Sequence, residues 1–74
     1  MMHEMRAAMK LEINGEMRSV PASATIRELL ENLEIKPDRI AVELNRRIIK
    51  SKDWHVTPVK EADRIEIVQF VGGG

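Results

Sequence analysis

Seventy-four residues leave room for one domain, and a chain of this size hides only about 60% of the surface its unfolded form exposes, so its core must be small and continuous. There is no cysteine, which removes disulfide staples, thiolate metal sites and thiol catalysis. Twelve Lys and Arg balance twelve Asp and Glu, and their interspersed signs argue against a nucleic-acid partner, whose phosphates call for a basic excess.

Residues 1–8 (MMHEMRAA) lack strand alternation. They are read as an N-terminal extension outside the fold: a flexible tail, a helical stub or a leader to a second start at Met9. Lys10 to Asn14 then reads as a strand with Leu11 and Ile13 on one face. Asn14-Gly15 is a strong short hairpin signal, because both residues tolerate the positive φ of a type I′ turn. The return strand runs from Glu16 to Val20 and is closed by Pro21. Thr25 followed by Glu28 forms a capping box, and Ile26, Leu29, Leu30 and Leu33 make one apolar stripe at helical spacing. Pro37 is expected to place the helix stop. Ile40 to Leu44 is a second β run with Val42 and Leu44 inward, Asn45 and the arginines after it reverse the chain, and Ile48-Ile49 is a short edge strand. Ser51 to Lys60 is irregular, with Trp54 as its apolar anchor. Glu61-Ala62-Asp63 turns into the last strand, Arg64 to Phe70. One helix, two hairpins and a strongly apolar final strand imply an α+β layer in which the helix covers one face of the sheet.

In that last strand Ile65 and Ile67 point one way and Glu66, Val68 and Phe70 the other. A half-buried strand should have a polar outer face, so two large apolar groups there allow two readings. Phe70 caps the core or packs under the Trp54 loop, or Val68 and Phe70, with Val71, form a docking surface at the root of the C-terminal segment. Other charged groups have bland readings. His3 and His55 have no metal-ligand spacing, so no metal site is expected. Arg46, Arg47, Lys50 and Lys52 are an ordinary solvated face or a patch that steers the chain toward an acidic partner. Glu28, Glu31 and Glu34 form a wet helix face. No phosphate-binding loop is present, because no helix follows the glycines.

Three segments in order, Lys10-Leu11-Glu12-Ile13-Asn14-Gly15-Glu16, Ile40-Ala41-Val42-Glu43-Leu44-Asn45 and Asp63 through Phe70-Val71-Gly72-Gly73-Gly74, resemble the ThiS family, the sulfur carriers of thiamin biosynthesis. The resemblance covers residues 9–74. It implies a ubiquitin-like β-grasp fold, a mixed four- to five-stranded sheet on one main helix, with residues 9–71 as the domain and residues 72–74 as a flexible glycine tail. It also implies that the Gly74 carboxylate is adenylated by a ThiF-like E1 enzyme, which consumes ATP while the carrier itself binds no cofactor. Sulfur from a cysteine desulfurase system then makes a thiocarboxylate, and a ThiG-like thiazole synthase takes that sulfur into the thiazole of thiamin. Such a protein is a cosubstrate rather than an enzyme. Independently of the resemblance, no apolar run approaches the roughly 20 residues of a membrane-spanning helix, so no membrane partner is expected and the cytoplasm is the default address. Ala62 stands where glycine is common in these proteins; a type I turn, which needs no positive φ at its central residues, is expected to accommodate it.

The tail suits that chemistry. Each glycine loses much backbone freedom when ordered, yet three extended residues reach roughly 10 Å and lack the Cβ atoms that would block a narrow channel. Gly72 and Gly73 supply reach, and Gly74 supplies the reacting group. The alternatives are a ragged or cloning-derived end, the same chemistry serving molybdopterin synthesis or tRNA thiolation, and a β-grasp binding module whose tail has no chemistry.

Overall fold

The computed structural model describes residues 7–70. In chain order it contains strands β1 (Ala8–Ile13) and β2 (Glu16–Pro21), helix α1 (Ile26–Asn32), strands β3 (Ile40–Leu44) and β4 (Arg47–Ile49), a single 3₁₀ turn (Ser51–Asp53) and strand β5 (Arg64–Gln69). The strands form one sheet in the order β2-β1-β5-β3-β4. Only β1 and β5 run parallel; the other neighbours are antiparallel. The last strand of the sequence therefore lies at the centre of the sheet.

Both hairpins close through left-handed pairs. Asn14 and Gly15 have φ of 51° and 85°, and a Cβ on Gly15 would meet nothing within 4 Å. Gly15 is there for its backbone angle and not for space. Asn45 and Arg46 repeat the geometry with φ of 52° and 72°, so an arginine occupies a position that glycine usually fills. β1 starts at Ala8, earlier than the expected Lys10, because main-chain pairing extends past the alternating side chains. Ala8 stands opposite Pro21, and the Ala22 N–H donates to the Ala7 carbonyl at 2.9 Å.

The helix begins as its capping signal predicts, with one shift. Thr25 Oγ1 accepts from the Glu28 N–H at 3.2 Å, but the Glu28 carboxylate accepts from the Ala24 N–H at 2.6 Å, not from Thr25. The next two orphan donors of the first turn, the N–H groups of Ile26 and Arg27, go to the carbonyls of Thr57 and Trp54. The irregular segment after β4 is thus the helix's N-terminal cap. Trp54 anchors it as expected, buried and donating its indole N–H to the Ile49 carbonyl at 2.9 Å.

The helix stop departs from expectation. Pro37 does not set it; Glu34 does, at φ 59°. The Ile35 N–H returns to the Leu30 carbonyl and the Glu34 N–H to the Glu31 carbonyl, the paired bonds of a Schellman ending with glutamate in the left-handed position.

The apolar stripe of α1, Ile26, Leu29 and Leu30, is buried with Leu11, Ile13, Val20, Val42, Trp54, Val59 and Ile65 in a single cluster. One helix covers one face of the sheet. Among the described residues, no element covers the other face.

Candidate functional site

β5 joins the core to the C-terminal segment, and its alternation sorts its residues cleanly. Ile65 is fully buried under α1, and Ile67 packs against the same cluster. Val68 and Phe70 keep 53% and 57% of their surface exposed on the other side. Phe70 therefore does not cap the core: it belongs neither to the buried cluster nor to the residues packed against it. Val71 and the glycines Gly72, Gly73 and Gly74 lie outside the described residues, as does His3.

The register shows what surrounds Val68. It stands opposite Ala41 of β3, and Glu66 stands opposite Glu43, which in turn faces Ile48 of β4. Ile48 is 73% exposed. The open face thus carries Ala41, Val68 and Phe70 at the tail end, two carboxylates directly across from each other, and an isoleucine at the edge. Like charges placed opposite one another disfavour the pairing, so the Glu43–Glu66 row does nothing for the sheet. Nearer the start of β5, Arg64 pairs with Glu12 at 3.3 Å, the polar finish expected of a solvent-facing strand. Val68 and Phe70 were visible in the sequence as misplaced apolar groups. Ala41, Ile48 and the paired glutamates were not, because only the β3–β5 register brings them alongside.

Main-chain bonds hold the strand almost to its end. On the β3 side the pairing reaches Ile40 opposite Gln69, and the Phe70 N–H donates to the Arg39 carbonyl at 2.7 Å. Arg39 itself sits at φ 58°, a left-handed conformation that aims this carbonyl at the strand end. On the β1 side Asn14 supplies the last contacts. At the opposite end of β5 the Asn45 amide holds Arg64 and Asp63.

The turn into β5 corrects an expectation. Ala62 has φ 72°, and the Asp63 N–H closes onto the Lys60 carbonyl at 3.1 Å. A positive φ at the third residue is the signature of a type II turn, where glycine is preferred, and not of the type I turn expected there. The geometry is imposed from outside: the Ala62 N–H donates to the Lys10 carbonyl at 2.8 Å and the Asp63 carbonyl accepts from Glu12.

A parallel pair of central strands, two flanking hairpins and one helix across a single face define a ubiquitin-like β-grasp protein. The crystal structure of a thiamine biosynthesis protein (ThiS) from Geobacter metallireducens superposes with a TM-score of 0.77 at 32% identity, covering 89% of this chain and 100% of that one. Residues 11–74 match the model of the ThiS family, and the chain belongs to that family. The sulfur carrier protein ThiS of Bacillus subtilis is 35% identical over 65 residues, covering 86% of this chain and 98% of that protein. A thiazole synthase from Paramagnetospirillum magneticum is 42% identical over 66 residues, 89% of this chain. The chain spans only 20% of the length of that enzyme.

Proposed function

We propose that this chain carries sulfur on the carboxylate of Gly74 for thiazole formation in thiamin biosynthesis. The observation that carries the reading is the ThiS-family match, which runs through the glycine run to residue 74. The absence of cysteine supports it from another direction, because no side-chain thiol is present to hold the sulfur.

The chemistry follows from the inertness of a carboxylate toward substitution. A ThiF-like E1 enzyme lets the Gly74 carboxylate oxygen attack the α-phosphorus of ATP, expelling pyrophosphate and leaving an acyl-adenylate. A persulfide sulfur derived from a cysteine desulfurase attacks the carbonyl carbon and AMP departs. A thiol then cleaves the S–S bond of the resulting acyl disulfide, releasing C(=O)S⁻ on Gly74 and a disulfide on the donor side. The thiocarboxylate is the nucleophile delivered to a ThiG-like thiazole synthase. ATP belongs to the activating partner, and this chain acts as a cosubstrate.

Each part of the molecule has a role in this reading. Gly72 and Gly73 thread the partner's channel, while Val68, Phe70 and Val71 dock at its mouth. The similarity to thiazole synthases favours thiazole as the destination over molybdopterin or thiolated tRNA. The test is the intact mass of the 74-residue chain after incubation with a ThiF-like enzyme, ATP and a persulfide donor. Exchange of one oxygen for sulfur, mapped to Gly74, is the expected result. An unchanged mass beside an activating enzyme proven on another carrier would overturn the reading, in favour first of another sulfur pathway and then of a binding module.

A further inference from the structure

We propose that Asn14 is a positioning residue for the tail: its side-chain amide extends the β1 side of the sheet to Ile67 and so holds β5 from both edges just before the tail root. The positioning role rests on the sulfur-carrier reading; the clamp itself does not.

β1 and β5 pair in parallel only at Glu12 with Arg64 and Ile13 with Ile65. The chain then leaves the sheet through the Asn14–Gly15 turn, its last backbone contribution being the Asn14 N–H donated to the Ile65 carbonyl at 2.9 Å. The next main-chain groups of β5 on that edge are those of Ile67, and β1 has no backbone left to meet them. There the Asn14 Oδ1 accepts from the Ile67 N–H at 2.8 Å, and its Nδ2 donates to the Ile67 carbonyl at 3.3 Å. A primary amide carries the same donor and acceptor as a peptide unit, so the side chain extends the ladder past the end of its own strand.

The turn alone does not ask for this amide. Glycine and aspartate also suit a type I′ turn, and neither offers both bonds. Nor is the amide a general brace for β5, because Asn45 braces the other end from an equivalent turn. Its Oδ1 accepts from the Arg64 N–H at 2.9 Å and its Nδ2 donates to the Asp63 carboxylate at 3.0 Å. Asn14 acts next to Val68 and Phe70. Strand ends open at little free-energy cost unless bonds hold them. With the Ile67 clamp gone, Val68 and Phe70 would be held from the β3 side alone, through the pairing with Ala41 and the Phe70 N–H bond to Arg39, and a partner would have to order a looser strand end on binding.

The experiment compares Asn14→Gly with Asn45→Gly in the 74-residue chain. Both keep the left-handed turn and remove the amide. Amide exchange is followed by NMR, and activation is followed by steady-state kinetics with a ThiF-like enzyme and ATP. For Asn14→Gly, protection of the Ile67 amide should fall about tenfold, the loss expected of two neutral hydrogen bonds. Its KM as substrate should rise roughly three- to tenfold with kcat within about twofold, the pattern of lost binding rather than lost chemistry. Asn45→Gly should lose protection at Arg64 and keep its KM. Asn14→Asp, which keeps the acceptor and loses the donor, should fall between and carries the test if the glycine variant does not fold. An unchanged KM in the Asn14 variants despite lost protection, or an equal rise in both glycine variants, overturns the positioning role. Failure of the wild-type chain to be activated removes the carrier reading and that role together, and the exchange data then report a clamp that is only structural.

Discussion

The helix side and the open side of β5 are built from the same kinds of residue and end in opposite states. On the helix side Ile65 is fully buried in the cluster that includes Leu11, Leu29 and Val42, while on the open side Val68 and Phe70 remain more than half exposed. The open side is not careless along its whole length. It begins with the Arg64–Glu12 ion pair and turns apolar only toward the tail. A strand shaped for folding alone would have stayed polar to its end; under the proposed carrier role, the apolar end of its open face is where a partner would dock, while Ile65 and Ile67 on the other face serve the core. The Glu43–Glu66 row between them serves neither the core nor the pairing.

If that division is right, substitutions on the two sides should fail in different assays. The largest effect belongs to Ile65→Ala, which should lower the unfolding free energy by about 2–5 kcal/mol, the usual cost of emptying a fully buried aliphatic site. Urea denaturation measures it, and the fraction still folded should be activated normally. The paired change Val68→Ser with Phe70→Ser should do the reverse. Its stability should stay within about 0.5 kcal/mol of the parent, as for other exposed positions, while KM with the activating enzyme rises roughly tenfold, the loss of a modest docking contact. A large stability loss in that pair would break the comparison, because it would make the exposed residues part of the fold. Thr25→Ala is a milder check from the fold side. It removes the helix N-cap bond and should cost about 1 kcal/mol by denaturation without altering KM.

The division was only half legible in the sequence, and the reason is distance along the chain. Local chemistry was readable. Asn14-Gly15 announced its turn, Thr25 and Glu28 announced the helix start, and the alternation of Ile65 and Ile67 against Val68 and Phe70 exposed the anomaly at the tail root. What depends on pairing between remote segments was not readable. Nothing in Ala41, Glu43 or Ile48 says they share a face with Val68, since that follows from β3 lying beside β5. The second role of Asn14 was hidden behind its obvious one. Left-handed backbone at Glu34, Arg39 and Arg46 also escaped notice, because those residue types do not ask for it, and at Ala62 the expected type I turn set aside the glycine preference that pointed to it. At Glu34 the returning N–H of Ile35 helps impose it, and at Arg46 the hydrogen bonds of Asn45 to Arg64 hold the turn that contains it.

Ala62 gives the smallest effect and the sharpest test of whether the two halves of β5 are separate. Its Cβ sits in a left-handed conformation that costs an alanine about 1–2 kcal/mol. Glycine would remove that cost and add back roughly 0.5–1 kcal/mol by loosening the unfolded chain. Ala62→Gly should therefore gain on the order of 0.5–1 kcal/mol, since the N–H bond to the Lys10 carbonyl is a main-chain contact that glycine keeps. Thermal and urea unfolding would read the gain directly. The turn feeds the start of β5 and lies away from Val68 and Phe70, so KM with the activating enzyme should not move. A variant that becomes more stable and binds its partner differently would show that strain at the entrance of the strand is transmitted to its exit, and folding and docking would then have to be treated as one property of β5.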